Sequence, residues 1–307
     1  MNHLLKLLDL SKKDITDILN LADQLKYEKK RDLEHKRNLK GKTLGMIFQK
    51  SSTRTRVSFE VGMFQLGGSA LFLSPRDLQM GRGESIEDTA HTLSRYLDGI
   101  MIRTYEQSEV EMLAQCGSIP IINGLTDFAH PCQVLADLMT IREYKSSLEG
   151  LKLAFVGDGN NMANSLIVGC LKMGMKISVA CPDAYRPDKE VLQFAYETAN
   201  KNGNFVLTGD VKEAVKDADV IYTDVWSSMG QEEEAQKRKA DFAGYCVDES
   251  LLETAKKDCI VLHCLPAHKG EEITAGVFET HQTEIFDQAE NRLHAQKAVM
   301  VLLMEEK

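Results

Sequence analysis

The chain has 307 residues, 43% of them hydrophobic and 27% charged, the composition of a soluble globular protein long enough for two domains. A formal net charge of −9 argues against a nucleic-acid or anionic-membrane partner, either of which calls for a basic surface. Seven scattered cysteines, an odd count without a C-x-x-C pair, point to a reducing cytoplasm and no disulfides.

The first segment, "MNHLLKLLDLSKKDITDIL", carries Lys6 and Asp9 inside its apolar stretch and reads as an amphipathic helix rather than a signal peptide. The most apolar later run, near residue 166, is broken by Lys172 and Lys176 before it reaches the length of a membrane span. Strands are predicted at "GKTLGMIF", "SALFL", "DGIMIR" and "IPIIN", between helical stretches near 11–26, 54–66, 86–96, 107–116 and 131–144. A polar break at "YKSSLEGLK" follows, and the alternation resumes with "LKLAFVGD", "MKISVAC", "NFVLTG", "DVIYTD" and "CIVLHCL". Helices are expected there at 162–173, 188–202, 211–216 and 249–257. Apolar strands alternating with helices predict an α/β protein of two doubly wound parallel-sheet domains covered on both faces. The expected domains are 1–147 and 148–287, with a last helix over 288–307 packing back onto the first.

In such sheets ligands gather at the carboxyl ends of the strands. The first such end is "GMIFQKSSTRTRVSFEVGMFQLG", where Lys50, Arg54 and Arg56 stand among Ser51, Ser52, Thr53 and Thr55. Val57, Val61 and Phe64 then mark one face of a helix, so the cations and hydroxyls sit at its N-terminus. That end of a helix offers unpaired N–H groups and positive dipole, an attraction for phosphate. Capping alone needs one hydroxyl and explains neither arginine. The glycines of a Walker loop are absent, so a small phosphate held by side chains fits better than a nucleoside triphosphate.

Arg103 closes the strand "DGIMIR" on the same rim. In "TDFAHPCQVLADLMTI", Pro131 suits a first helical position, with Val134, Leu138 and Ile141 as the buried stripe. His130 and Gln133 then flank a second helix start, where the dipole favours a neutral imidazole. "FVGDGNNMANSL" offers Gly157 and Gly159 of a dinucleotide fingerprint, but Met162 takes the third glycine position. Asp224, Ser228 and Asn161 suit a small zwitterion, with a carboxylate for an ammonium and donors for a carboxylate. A helix cap at Asp224 and an ordinary buried thiol at Cys264 are the plainer alternatives. Cys259, His263 and Cys264 share a predicted strand without a second pair to complete a tetrahedron, so no metal is expected.

Taken together, "SSTRTR", "HPCQ", "DVWSSMG" and "HCLPA" resemble the aspartate/ornithine carbamoyltransferase family, over essentially the whole chain and in order. The last two motifs are similar to its ornithine branch; the aspartate branch would end that strand with "HPLPR". The resemblance implies that Ser52, Thr53, Arg54, Thr55 and Arg103 bind the phosphate of carbamoyl phosphate, and that His130 and Gln133 hold its carbamoyl end. It implies that Gln79 reaches in from a neighbouring subunit of a homotrimer. Asn161, Asp224, Ser228 and Met229 match ornithine-binding positions, and Cys264, Leu265 and Arg292 complete the site around the reacting group. Arg103, His130, Asp224, Cys264 and Arg292 are the expected catalytic set, in a cleft between the two domains and with no cofactor.

The implied reaction is attack of the ornithine side-chain amine on the carbonyl of carbamoyl phosphate, giving citrulline and phosphate. Carbamoyl phosphate is expected to fill the cationic rim first, and ornithine then to draw the second domain shut. Three rivals stand beside this reading. They are a sibling transferase using aspartate, putrescine or an acylated ornithine, a nucleotide-dependent dehydrogenase, and an amino-acid sensor without catalysis.

Overall fold

The computed structural model describes residues 1–31, 37–74, 76, 78–80, 83–199, 203–227 and 234–305. By its internal contacts the chain divides into two units, Met1–Ala136 with Asn291–Lys307, and Asp137–Glu290. The predicted Ser228 and Met229 lie outside the described residues.

The first unit runs α1 (Lys12–Lys30), β1 (Thr43–Phe48), α2 (Thr53–Gln65), β2 (Ser69–Leu73), α3 (Ile86–Leu93), β3 (Gly99–Arg103), α4 (Gln107–Cys116) and β4 (Ile121–Leu125). It then takes in the start of α5 (Pro131–Lys145). Hydroxyls set the helix starts: Ser11 forms a capping box with Asp14, and Ser52 and Ser85 cap α2 and α3. The sheet is parallel throughout, in the order β2-β1-β3-β4. From β1 the chain winds outward to β2 on one side, then returns through β3 to β4 on the other. The reversal opens a crevice at the carboxyl ends of β1 and β3.

The second unit continues α5 and adds β5 (Lys152–Val156), α6 (Asn161–Lys172), β6 (Lys176–Ala180), α7 (Lys189–Ala199), β7 (Phe205–Thr208), α8 (Val211–Val215) and β8 (Val220–Thr223). After these come α9 (Ala235–Asp241), α10 (Glu249–Leu252), β9 (Ile260–His263), α11 (Ala275–Thr280) and α12 (Gln282–Met304), whose last turns belong to the first unit. Its parallel sheet has the order β7-β6-β5-β8-β9, so its switch point lies between β5 and β8. Two parallel sheets flanked by helices are the architecture that the alternation of the sequence predicts.

Several expectations are corrected. The face of α2 marked by Val57, Val61 and Phe64 is the outward one: Val57 is 51% exposed and Phe64 80% exposed. The helix buries Thr55, Phe59, Gly62 and Met63 instead, because the polar site residues and the core claim the opposite side. β2 is an edge strand with Leu71 and Phe72 exposed, so this sheet is not covered on both faces along its whole width. The predicted helix over 249–257 stops at Leu252, where the Thr254 hydroxyl donates to Leu251 O at 2.7 Å and turns the chain towards β9. The short helices α9 and α11 are absent from the sequence expectations.

Candidate active site

At the switch point of the first sheet, the carboxyl end of β1 leads into α2. Ser52 caps that helix by accepting from the Thr55 N–H at 3.2 Å, and its hydroxyl lies 3.1 Å from the Thr55 hydroxyl. Thr55 is fully buried and accepts a hydrogen bond of 2.6 Å from the Arg292 guanidinium on α12. Thr53 is exposed and Arg54 half-buried at the same helix start. Arg103, the last residue of β3, is buried, and its carbonyl accepts from the Gln49 N–H at 2.8 Å, which ties the ends of β1 and β3 together.

His130 and Gln133 are buried at the start of α5. Burial, reinforced by the charges of Arg292, Arg103 and Arg54, holds the His130 imidazole well below its ordinary pKa. It is therefore neutral at physiological pH, as expected from its helix start, but desolvation and three guanidiniums are the causes. The same four residues come from α2, β3, the α5 start and α12, so only the fold brings them together. Burial also pushes the neighbouring Cys132 thiol up to about 12.

The cations that flank Arg54 in sequence go elsewhere. Lys50 is buried, pairs with Asp127 and lies 4.2 Å from the Tyr105 ring. Arg56 pairs with Glu60 at 3.0 Å and covers the exposed Phe72 ring at 3.9 Å. Gln79 is exposed between β2 and α3, and its side chain is in none of the described hydrogen bonds of the arginine cluster.

At the switch point of the second sheet, Gly157 adopts φ +145°, outside the range of most L-residues. At Gly159 an added Cβ would lie 2.4 Å from backbone atoms of Tyr185 and Pro187. The missing side chain thus admits the chain's own backbone, which weakens the dinucleotide interpretation of these glycines. Asn160, unassigned in the sequence, caps α6 by accepting from the Met162 and Ala163 N–H groups. Its amide donates to Asp224 Oδ2 at 3.3 Å. Asn161 opens α6 beside it.

Asp224 follows β8 and is buried; its Oδ1 accepts from the Val225 N–H at 2.8 Å and the Cys264 thiol at 3.0 Å. Asp158 is buried as well and pairs with Arg238 at 2.7 Å, and that guanidinium also donates to Trp226 O. Burial raises the Asp158 carboxyl to about 6 against the opposing pull of Arg238. Arg238 was invisible in the sequence because it sits on α9, 80 residues from its partner.

Beyond β9, Leu265 holds φ +60°, a left-handed conformation that costs a branched residue about 1–3 kcal/mol. It is fixed there: the Leu265 N–H donates to His263 Nδ1 at 2.9 Å, and His263 Nε2 donates to the fully buried Glu272 at 3.1 Å. Asp224, His263 and Cys264 place their ligating atoms within 4.8 Å of one another, and Cys259 is not among them. Both imidazole nitrogens are already engaged, so a cation there would have to displace one of these bonds.

Residues 2–143 match the family described as aspartate/ornithine carbamoyltransferase, carbamoyl-P binding domain, and residues 149–303 match its Asp/Orn binding domain. The chain is 60% identical over 301 residues to an ornithine carbamoyltransferase of Oceanobacillus iheyensis, covering 98% of this chain and 93% of the relative. It is 54% identical over 297 residues to one of Thermococcus kodakarensis, covering 96% and 94%. The ornithine carbamoyltransferase structure from Pyrococcus furiosus superimposes with a TM-score of 0.94 at 52% identity, over 99% of this chain and 97% of that one. The anabolic enzyme of Campylobacter jejuni gives a TM-score of 0.93 at 43% identity, over 99% of both chains. With both of its domains matched along nearly the full length, the chain belongs to the aspartate/ornithine carbamoyltransferase family.

Proposed function

We propose that this protein is an ornithine carbamoyltransferase, which moves the carbamoyl group of carbamoyl phosphate to the side-chain amine of L-ornithine. Citrulline and phosphate are the products, in arginine metabolism. The observation that carries this reading is His130, buried and neutral among Arg54, Arg103 and Arg292, the last of which donates to Thr55.

Three guanidiniums around an N-capped helix suit a small dianion, and a neutral imidazole can donate to a carbonyl without repelling them. As the amine attacks, negative charge develops on the carbonyl oxygen. Thr55, Arg103 and His130 are its donors, each worth about 3–4 kcal/mol. The C–O bond then breaks with its electron pair to the phosphate, which Ser52, Thr53, Arg54 and Arg103 hold, and the departing phosphate takes the proton that the nitrogen gives up. Gln133, Leu265 and Arg292 orient the carbamoyl group.

The amine itself has an ordinary pKa of about 10.4, so roughly one molecule in a thousand is nucleophilic at neutral pH. Asp224 and Cys264, already hydrogen-bonded to each other, orient its lone pair, with Asn161, Ser228 and Met229 completing the amino-acid site. Cys264 acts here as a hydrogen-bonding group and not as a nucleophile.

Copies of the chain associate, as trimers, through the exposed face of α2 and β2. Val57, Val61, Phe64, Leu71 and Phe72 support this, since an apolar patch on two adjoining elements needs a cover. Gln79 of one copy then serves the site of the next. Sedimentation of Phe64→Asp protein should give monomers; an unchanged mass would remove this face from the assembly. The seven free cysteines support a cytoplasmic setting, and no helix among the described residues is long and apolar enough to cross a membrane.

The deciding experiment supplies carbamoyl phosphate with ornithine, aspartate, putrescine or N-acetylornithine and measures carbamoylated product and phosphate together. Ornithine alone should give stoichiometric product. Faster turnover with another acceptor would transfer the assignment to a sibling activity, and none with any would leave a sensor.

A further inference from the structure

The reaction assigned above needs the Cys264 thiol held against Asp224, and the inference here, which rests on that reading, concerns what holds it. β9 is an outermost strand, paired among the described residues with β8 alone. The Ile260 N–H points inward to Asp219 O, so the alternation of the strand turns the His263 N–H to the open edge. There it donates to Gln288 Oε1 on α12, at 2.9 Å.

Gln288 is fully buried and its amide is fully used. Its Nε2 donates to Asp137 Oδ1 on α5 at 2.7 Å and to the Tyr222 hydroxyl on β8 at 3.0 Å. The orientation of the amide is unambiguous, because a backbone N–H can meet only its oxygen and a carboxylate only its NH₂. Cys264 lies between two anchored peptides, His263 N–H on Gln288 and Leu265 N–H on His263 Nδ1. One of those peptides runs straight into the left-handed backbone of Leu265.

We propose that Gln288 is a positioning residue for carbamoyl transfer: by tying the His263 N–H to Asp137 and Tyr222, it sets where Cys264 stands relative to Asp224. A glutamine that only filled the core would alter stability and leave the kinetics and the thiol alone.

Gln288→Leu removes both halves of the link. Expected are a kcat lower by about tenfold or more, a raised KM for ornithine and an unchanged KM for carbamoyl phosphate. Site-resolved alkylation of Cys264 by iodoacetamide should rise about threefold or more, as the thiol leaves its carboxylate partner. The double variant Asp137→Asn with Gln288→Glu reverses donor and acceptor, keeps one carboxylate and keeps the acceptor for His263 N–H. It should recover most of the activity that Gln288→Glu alone loses. Wild-type kinetics and alkylation in folded Gln288→Leu protein would overturn the proposal, as would a folded double variant no better than Gln288→Glu. Where Gln288→Leu does not fold, the two glutamate variants decide. If the wild type makes no citrulline, the assigned reaction fails, while the alkylation comparison still judges Gln288.

Discussion

The carboxyl end of the first sheet gathers Arg54, Arg103 and Arg292 around a neutral imidazole, whereas that of the second gathers Asp158, Asp224 and a thiol. Both ends lie at a reversal of strand order, so topology gives each a crevice. Chemistry separates them. At the first, positive charge is concentrated on a helix N-terminus, the arrangement that a doubly charged anion needs. At the second, each carboxylate is already met by a designated donor: Arg238 for Asp158, and Asn160, the Val225 N–H and Cys264 for Asp224. One end supplies attraction for an anion, the other a fixed hydrogen-bonding frame.

The sharpest way to break this contrast is at Arg54. Arg54→Met should lower kcat/KM for carbamoyl phosphate about a thousandfold, near the ~4 kcal/mol of a lost transition-state donor. A loss below tenfold in steady-state assays would mean that the charge is not where the anion binds.

Asp224→Asn comes next. It should raise the KM for ornithine about a hundredfold with carbamoyl-phosphate affinity unmoved, because a buried charge-assisted partner is lost from one frame only. Cys264→Ala should follow in the same direction by about tenfold. Isothermal titration with a carbamoyl-phosphate analogue, before and after adding ornithine, separates the two ends.

A stability measurement, apart from catalysis, tests the polar helix that both units share. Burial lowers the Lys297 ammonium from 10.5 to about 8, although it donates to Gln65 Oε1 at 3.1 Å. Between those pH values the unfolded chain holds a proton that the folded one releases. Stability therefore rises with pH across that window, by up to about 3 kcal/mol, and is lowest below pH 8. Lys297→Met should flatten the rise and leave the protein at least as stable at pH 7. Urea midpoints at pH 7, 8.5 and 10 measure the difference, and parallel curves for both proteins would rule the assignment out.

Much of the fold was legible in the sequence because a buried parallel strand is a short apolar run, and runs such as "MKISVAC" and "DVIYTD" advertise themselves. The start of α2 was legible in the hydroxyls that follow β1, of which Ser52 is the cap. What the sequence misread was the direction of a face: Val57, Val61 and Phe64 are spaced like a core stripe and point outward. Periodicity reports that a helix has an apolar side, not what that side meets. Similarly, Lys50, Arg54 and Arg56 look like one cationic cluster, yet rotation about the strand end and helix sends them to Asp127, to the site, and to Glu60.

By itself the sequence determined the alternation of strands and helices, the N-caps, and the residue types at each strand end, since these follow from local spacing and side-chain chemistry. The tertiary structure alone decided which distant groups share a neighbourhood: Arg292 with Thr55, Arg238 with Asp158, and Gln288 with the His263 N–H. These pairings span 25 to 237 residues, and no local pattern encodes them. They form because a buried polar group is costly unless a partner reaches it, and only the packed core determines which partner can.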